Sequence, residues 1–189
     1  MTDTWTIDAS DGELVVHTGV AGRAAKMGHR LTIVMKRWQA TVNWSDGEPV
    51  AAQLTVEVDS LEVLQGEGGL TALSGPEKIL VRSNALRQLG AGRFRQIRFD
   101  ADAIDESQDG YRLTGTLQIH GKTRAQVIEL CTDDLGDVWR LSSEAVVRQS
   151  AFGVKPYSLL MGSLKVANEV TVSFTARIGV PPCRVTLHA

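Results

Sequence analysis

Alternation of apolar and polar side chains at a spacing of two dominates this chain, and it is clearest between Gly110 and Leu130. Leu113, Gly115, Leu117 and Ile119 take one face, while Arg112, Thr114, Thr116 and Gln118 take the other. His120-Gly121-Lys122-Thr123 interrupts the pattern, which resumes with Ile128 and Leu130 set against Val127, Glu129 and Cys131. The segment therefore reads as two antiparallel strands joined by a short Gly-containing turn. A lone hairpin is marginal in water, so other strands must extend the sheet and give its apolar face something to bury against.

The same period recurs along the chain. Trp5 to Asp8 and Glu13 to Thr18 flank the turn dipeptide Asp11-Gly12, which predicts an opening hairpin. Gly19 to His29 lacks the period and predicts a structured connection, with one helical turn at Ala24 to Met27 ended by Gly28. Arg30 to Trp44 is long and β-rich, and its parity change near Lys36-Arg37 predicts a bulge or bend. After the loop Ser45 to Pro49, Ala52, Leu54, Val56 and Val58 alternate with polar residues, with a continuation through Leu61 to Leu64 left open. Strands are also expected over Arg93 to Ile104, Asp137 to Gln149 and Asn168 to Ile178.

One helix interrupts them. Gly75-Pro76-Glu77 puts proline and an acid in a first turn, and Gly90 supplies a stop, so a helix is predicted near residues 76–89 with Ile79, Leu86 and Leu89 on its apolar stripe. At 1.5 Å per residue it would span roughly 20 Å, enough to lie across one end of a small barrel. About eight strands with scarce helix define an all-β chain, either a sandwich or a closed barrel. The glycine run Gly66 to Gly69 has neither the lysine-serine ending nor the βαβ context of a phosphate loop and reads as a linker.

Length and composition narrow the class. At 189 residues the chain suits one domain, and 43% hydrophobic with 22% charged residues is ordinary for a globular protein. A formal net charge of -2 provides no bulk field for nucleic acid. No twenty-residue apolar stretch predicts a transmembrane segment. The N-terminus carries no basic region followed by an apolar run, so a cytoplasmic location is expected, with Cys131 and Cys183 reduced and Cys131 a small core residue.

Chemistry is sparse. His17, His29, His120 and His188 form no H-x-x-x-H or H-x-H pair, so no metal site and no cofactor are expected. No G-x-S-x-G elbow is present, and Asp100 with Asp102 fits an exposed strand face as well as a catalytic pair. Ser150 to Tyr157 sets Phe152 and Tyr157 beside Lys155 in a Gly/Pro-punctuated loop, which either plugs a barrel end or forms a binding rim. Arg82, Arg87, Arg93, Arg95 and Arg98 form the one basic concentration, a solvated face or an anion site.

Three stretches in order, W-T-I-D at Trp5 to Asp8, G-T-L-Q-I-H-G-K-T-R at Gly115 to Arg124 and Q-S-A-F-G-V-K-P-Y at Gln149 to Tyr157, resemble the YceI-like family of polyisoprenoid-binding proteins with a lipocalin-like barrel. M-G-H-R-L-T-I-V-M-K-R-W at Met27 to Trp38 adds to the likeness, which runs from Trp5 to Ile178 and leaves the tail 179–189 outside. The resemblance implies a single antiparallel eight-stranded barrel around an apolar tunnel, a helix near its mouth, and carriage of a long-chain lipid or isoprenoid without catalysis. Phe99, Leu117, Ile119, Ile128, Leu130 and Phe174 are then the candidate tunnel residues, with Phe152 and Tyr157 at the rim and Lys155, Arg82 and His29 as candidate head-group contacts. Two alternatives remain, an enzyme on a small amphipathic substrate using His29 or His120, and an interaction barrel with a packed interior; a homodimer is left open.

Overall fold

The computed structural model describes residues 2–179, so the tail 180–189, with Cys183 and His188, lies outside the described residues. Its strands are β1 (Thr2–Asp8), β2 (Gly12–Ala21), β3 (His29–Met35), β4 (Trp38–Ser45), β5 (Glu48–Glu57), β6 (Leu61–Gly68), β7 (Gln96–Ser107), β8 (Gly110–Ile119), β9 (Lys122–Asp134), β10 (Val138–Arg148), β11 (Ser158–Leu159) and β12 (Leu164–Gly179). A single α-helix among the described residues, α1 (Gly75–Leu89), follows β6. All strand pairs are antiparallel, in the order β1-β4-β5-β7-β8-β9-β10-β12-β2-β3-β6, with β11 added beside β12.

Twelve hydrogen-bonded strands replace the expected eight because three runs of chain are each broken once and the two-residue β11 is added beside β12. The parity change at Lys36-Arg37 is such a break: β3 pairs with β6 up to Met35↔Leu61, and β4 then pairs with β5 from Trp38↔Val56. A short 3-10 turn at Val58–Ser60 breaks β5 from β6 in the same way. The opening hairpin is a correction of the same kind, since β1 pairs with β4 and β2 with β3 and β12, but not with each other. Asp11 donates its backbone N–H to the Asp8 carbonyl, and the Asp8 carboxylate accepts from Ser10, so the Asp-Gly signal marks a local jog. Counted as runs, the ring is β1/β2, β3/β4, β5/β6, β7, β8, β9, β10 and β12, and it closes through the β12–β2 pairing.

The central hairpin pairs Ile119 with Lys122 around His120 (φ 53) and Gly121 (φ 72). Two consecutive left-handed residues are the type I′ geometry that matches the twist of the flanking strands. The alternation now has its cause: Leu117 and Ile119 are buried and Gln118 is exposed. Cys131 belongs to the outer face and is an exposed free thiol, which corrects the core reading.

Helix α1 begins on a capping box in which Glu77 N–H bonds to the Ser74 hydroxyl while the Glu77 carboxylate accepts from Ser74 N–H at 2.7 Å. It ends at Gly90 in the left-handed conformation, with Ala91 N–H closing on the Leu86 carbonyl. The inner stripe differs from the expected one. Val81, Asn84, Ala85, Gln88 and Leu89 face the barrel interior, whereas Ile79 is 71% exposed.

Candidate functional site

Period-two strands aim one apolar face of every run inward, yet the described side chains do not fill the space they enclose. A cavity of about 620 Å³ remains, bounded by the barrel wall and by the inner face of α1. Ile33, Met35, Val56, Leu61 and Leu141 on one side, and Phe99, Leu117, Ile119, Val147 and Phe152 on the other, belong to two buried clusters that form its walls. This volume sits within the 300–1,000 Å³ range usual for small-molecule sites. An interior of this kind excludes the fully packed barrel.

Seven of the sequence-selected apolar residues, Phe99, Leu117, Ile119, Ile128, Leu130, Phe152 and Phe174, line this cavity. His29 and Tyr157 line it too, near the start of α1 and beside β12. Two selected cations do not. Arg82 points from α1 to the carbonyl oxygens of Leu61 and Asp59, at 2.7 and 2.5 Å, and Lys155 is exposed outside the lining. A guanidinium on a helix beside a strand break finds unpaired carbonyls there, which residue type alone does not reveal. Lys165 does line the cavity and escapes a reading by parity because the register shift between Val166 and Val170 breaks the alternation of β12.

Several polar lining groups are tied to the wall. Gln53 donates to Asp100 at 2.8 Å, Gln149 donates to the Ala167 carbonyl at 2.8 Å, and the Thr18 hydroxyl accepts from Leu31 N–H at 3.0 Å. Asn84 is different: it is 8% exposed, faces the cavity from α1, and its amide has no hydrogen-bond partner among the described residues. Buried polar groups without partners are costly, so this amide is available to a polar atom inside the cavity.

At the helix end of the cavity the His29 ring Nε2 lies 2.7 Å from the Thr71 carbonyl; a carbonyl only accepts, so Nε2 carries the proton. Glu77, also on the lining, has its carboxyl held below the usual range, first by the Ser74 hydroxyl, then by the Ser74 backbone N–H, with the His29 ring adding to both. His120 lies off the lining, its ring 4.6 Å from that of Phe94. On the outer wall Ser173 and His17 are 3.3 Å apart, and no carboxylate hydrogen-bonds that histidine among the described residues. No group of three or more His, Cys, Asp or Glu side chains placed to hold a metal ion occurs among the described residues. Among the same residues no helix is long and apolar enough to cross a membrane.

A curled antiparallel sheet closed around an apolar cavity and flanked by one helix defines a barrel of the ligand-enclosing class. The YceI-like domain profile matches residues 5–178, and the chain belongs to that family. No curated protein matches the chain. Among solved structures it is similar to Burkholderia cenocepacia BcnA, with 20% identity, 91% of this chain and 99% of that chain covered, and a TM-score of 0.68. It is also similar to the Campylobacter jejuni YCEI protein, with 15% identity, 79% and 84% covered, and a TM-score of 0.55. At these identities the likeness is one of fold.

Proposed function

We propose that this chain binds and carries a long-chain lipid, of the isoprenoid class, inside the barrel and does no chemistry on it. The apolar cavity of about 620 Å³ carries this reading. Burying a fifteen-carbon tail at about 0.8 kcal/mol per methylene contributes roughly 12 kcal/mol, which exceeds association costs of several kcal/mol. Membership of a family known for polyisoprenoid binding supports a branched isoprenoid over a straight acyl chain. The hydrogen bond from His29 to a backbone carbonyl, and the place of His120 off the lining, favour carriage over acid-base catalysis. The exposed thiol of Cys131 supports a reducing compartment such as the cytoplasm, checked by cell fractionation.

Solvent extraction of the purified protein followed by mass spectrometry tests the carrier reading. An isoprenoid recovered in near-stoichiometric amount, and taken up again by the delipidated protein, is the expected result. A protein that yields no lipid and takes up neither isoprenoid alcohols nor fatty acids overturns it.

A further inference from the structure

The exposed apolar side chains of this molecule are unevenly distributed. Val50, Leu64, Ile79, Val127, Leu135 and Val146 belong to other parts of the surface, but Met27, Leu70, Leu80, Leu159, Leu160 and Met161 belong to segments at one end of the barrel. Backbone pairing and one side-chain hydrogen bond hold these segments together. Ala24 N–H bonds to the Ser163 carbonyl at 2.9 Å, Leu159 pairs with Leu164, and the His29 ring, two residues beyond Met27, meets the Thr71 carbonyl. Met27, Leu80 and Leu159 are 48%, 60% and 48% exposed, yet the same three residues line the cavity. At this end of the barrel the same apolar side chains therefore meet both solvent and the cavity.

Backbone conformation adds to this. Leu160 (φ 50) and Met161 (φ 55) are consecutive left-handed residues, a conformation that Asn and Gly adopt readily and that Leu and Met rarely do. The result is a loop tip with the Met161 side chain wholly in solvent, at 106% relative exposure. Strain of this kind that presents an apolar group to water points outward, to a function.

Charge decides the kind of partner. Arg23, Lys26 and Lys165 are exposed beside the apolar tip, and none forms an ion pair among the described residues. The nearby acids are engaged, Glu67 with Arg30 at 3.8 Å and Glu77 with Ser74. We propose that this rim is a membrane-docking surface, with Leu160, Met161 and their apolar neighbours entering the interfacial region of a lipid bilayer and Arg23, Lys26 and Lys165 meeting anionic head groups. A lipid then passes between bilayer and cavity along apolar surface and never crosses water. The proposal rests on the lipid-carrier reading for its purpose, but not for its measurement.

Co-sedimentation with vesicles of phosphatidylcholine containing phosphatidylglycerol tests it, using the full-length protein and the double variant Leu160→Asn/Met161→Asn. Asparagine suits the left-handed region, so these substitutions relieve the backbone, and a urea midpoint equal to the parent's separates loss of binding from unfolding. The parent is expected to sediment with vesicles, less so as salt rises. The double variant should partition at least about tenfold more weakly, and Leu135→Asn, on the β9–β10 turn, should match the parent. Vesicle binding that is absent in the parent, or equal in parent and double variant, overturns the proposal. So does a concentration-dependent dimer, abolished by the double variant, in a protein that ignores vesicles. Lipid extraction and uptake by parent and double variant in parallel report on the carrier reading separately: docking by a protein that neither yields nor takes up lipid refutes carriage and leaves docking standing.

Discussion

The guanidinium of Arg82 donates to the carbonyl oxygens of Leu61 at 2.7 Å and Asp59 at 2.5 Å, so the middle of α1 is pinned across the break between β5 and β6. Removing it leaves two carbonyls at a strand break with no donor. Arg82→Met, which keeps much of the stem, should cost about 1–2 kcal/mol because both bonds are charge-assisted. Urea unfolding measures this. A variant that keeps the parent's midpoint but loses bound lipid would instead make Arg82 a head-group contact.

His120 owes its place to backbone conformation and to the ring of Phe94, with ring centroids 4.6 Å apart at 59°. No hydrogen bond from its ring to the turn backbone is made among the described residues. At φ 53, Asn is well tolerated and Leu is not. His120→Asn should therefore lie within about 0.5 kcal/mol of the parent, while His120→Leu costs about 1 kcal/mol. Equal unfolding midpoints for the two variants would remove turn conformation as the reason for this residue.

Leu117 and Gln118 are neighbours with opposite environments, one on the cavity wall and the other exposed on the outer face of β8. Leu117→Trp fills cavity volume and should cut lipid uptake severalfold, whereas Gln118→Ala should leave it unchanged. Extracted lipid per mole of folded protein is the readout. Uptake equal to the parent in both variants would place the ligand elsewhere.

Asp100 is held by Arg98, which donates to both carboxylate oxygens at 2.9 and 2.7 Å, and it also accepts from Gln53. The Arg98 hydrogen bonds, chiefly, lower its pKa from the ordinary carboxylate value. A depressed folded-state pKa means stability that is present above the unfolded value, near 3.9, and lost as pH falls through the folded value. Arg98→Gln should move the Asp100 titration up toward the ordinary range and shrink the loss of stability in acid. A carboxyl NMR titration of parent and variant checks the direction.

Strand parity makes the wall of the site legible in the amino-acid sequence alone. Phe99, Leu117, Ile119, Ile128, Leu130 and Phe174 can be chosen because a period of two leaves only two faces and burial selects one. Turn chemistry is half legible. Asp11-Gly12 marks a change of direction, but which strands pair across it depends on partners more than twenty residues away, here β4 for β1 and β12 for β2. Capping signals place helix α1 to within a residue, and of its expected apolar stripe Leu86 and Leu89 pack against the core while Ile79 does not. A helix that borders a cavity can carry Asn84 and Gln88 inward and leave Ile79 outside, so its apolar residues mark its buried side only in part. Cations are the least legible, because Arg82 serves backbone carbonyls created by a break that only the folded sheet contains.

The three breaks in the strand runs lie side by side. Asp8, the last residue before the first break, is opposite Gln39, just past the second, while Glu57 N–H reaches the Arg37 carbonyl and Lys36 N–H reaches the Ser60 carbonyl. Arg37 bridges the crease from outside through Glu57 and Asp59. On one side of that crease β1, β4 and β5 pair as one leaf, and on the other β2, β3 and β6 pair as a second. The wall therefore changes direction along a seam between two ladders, and no single ladder has to bend through the corner.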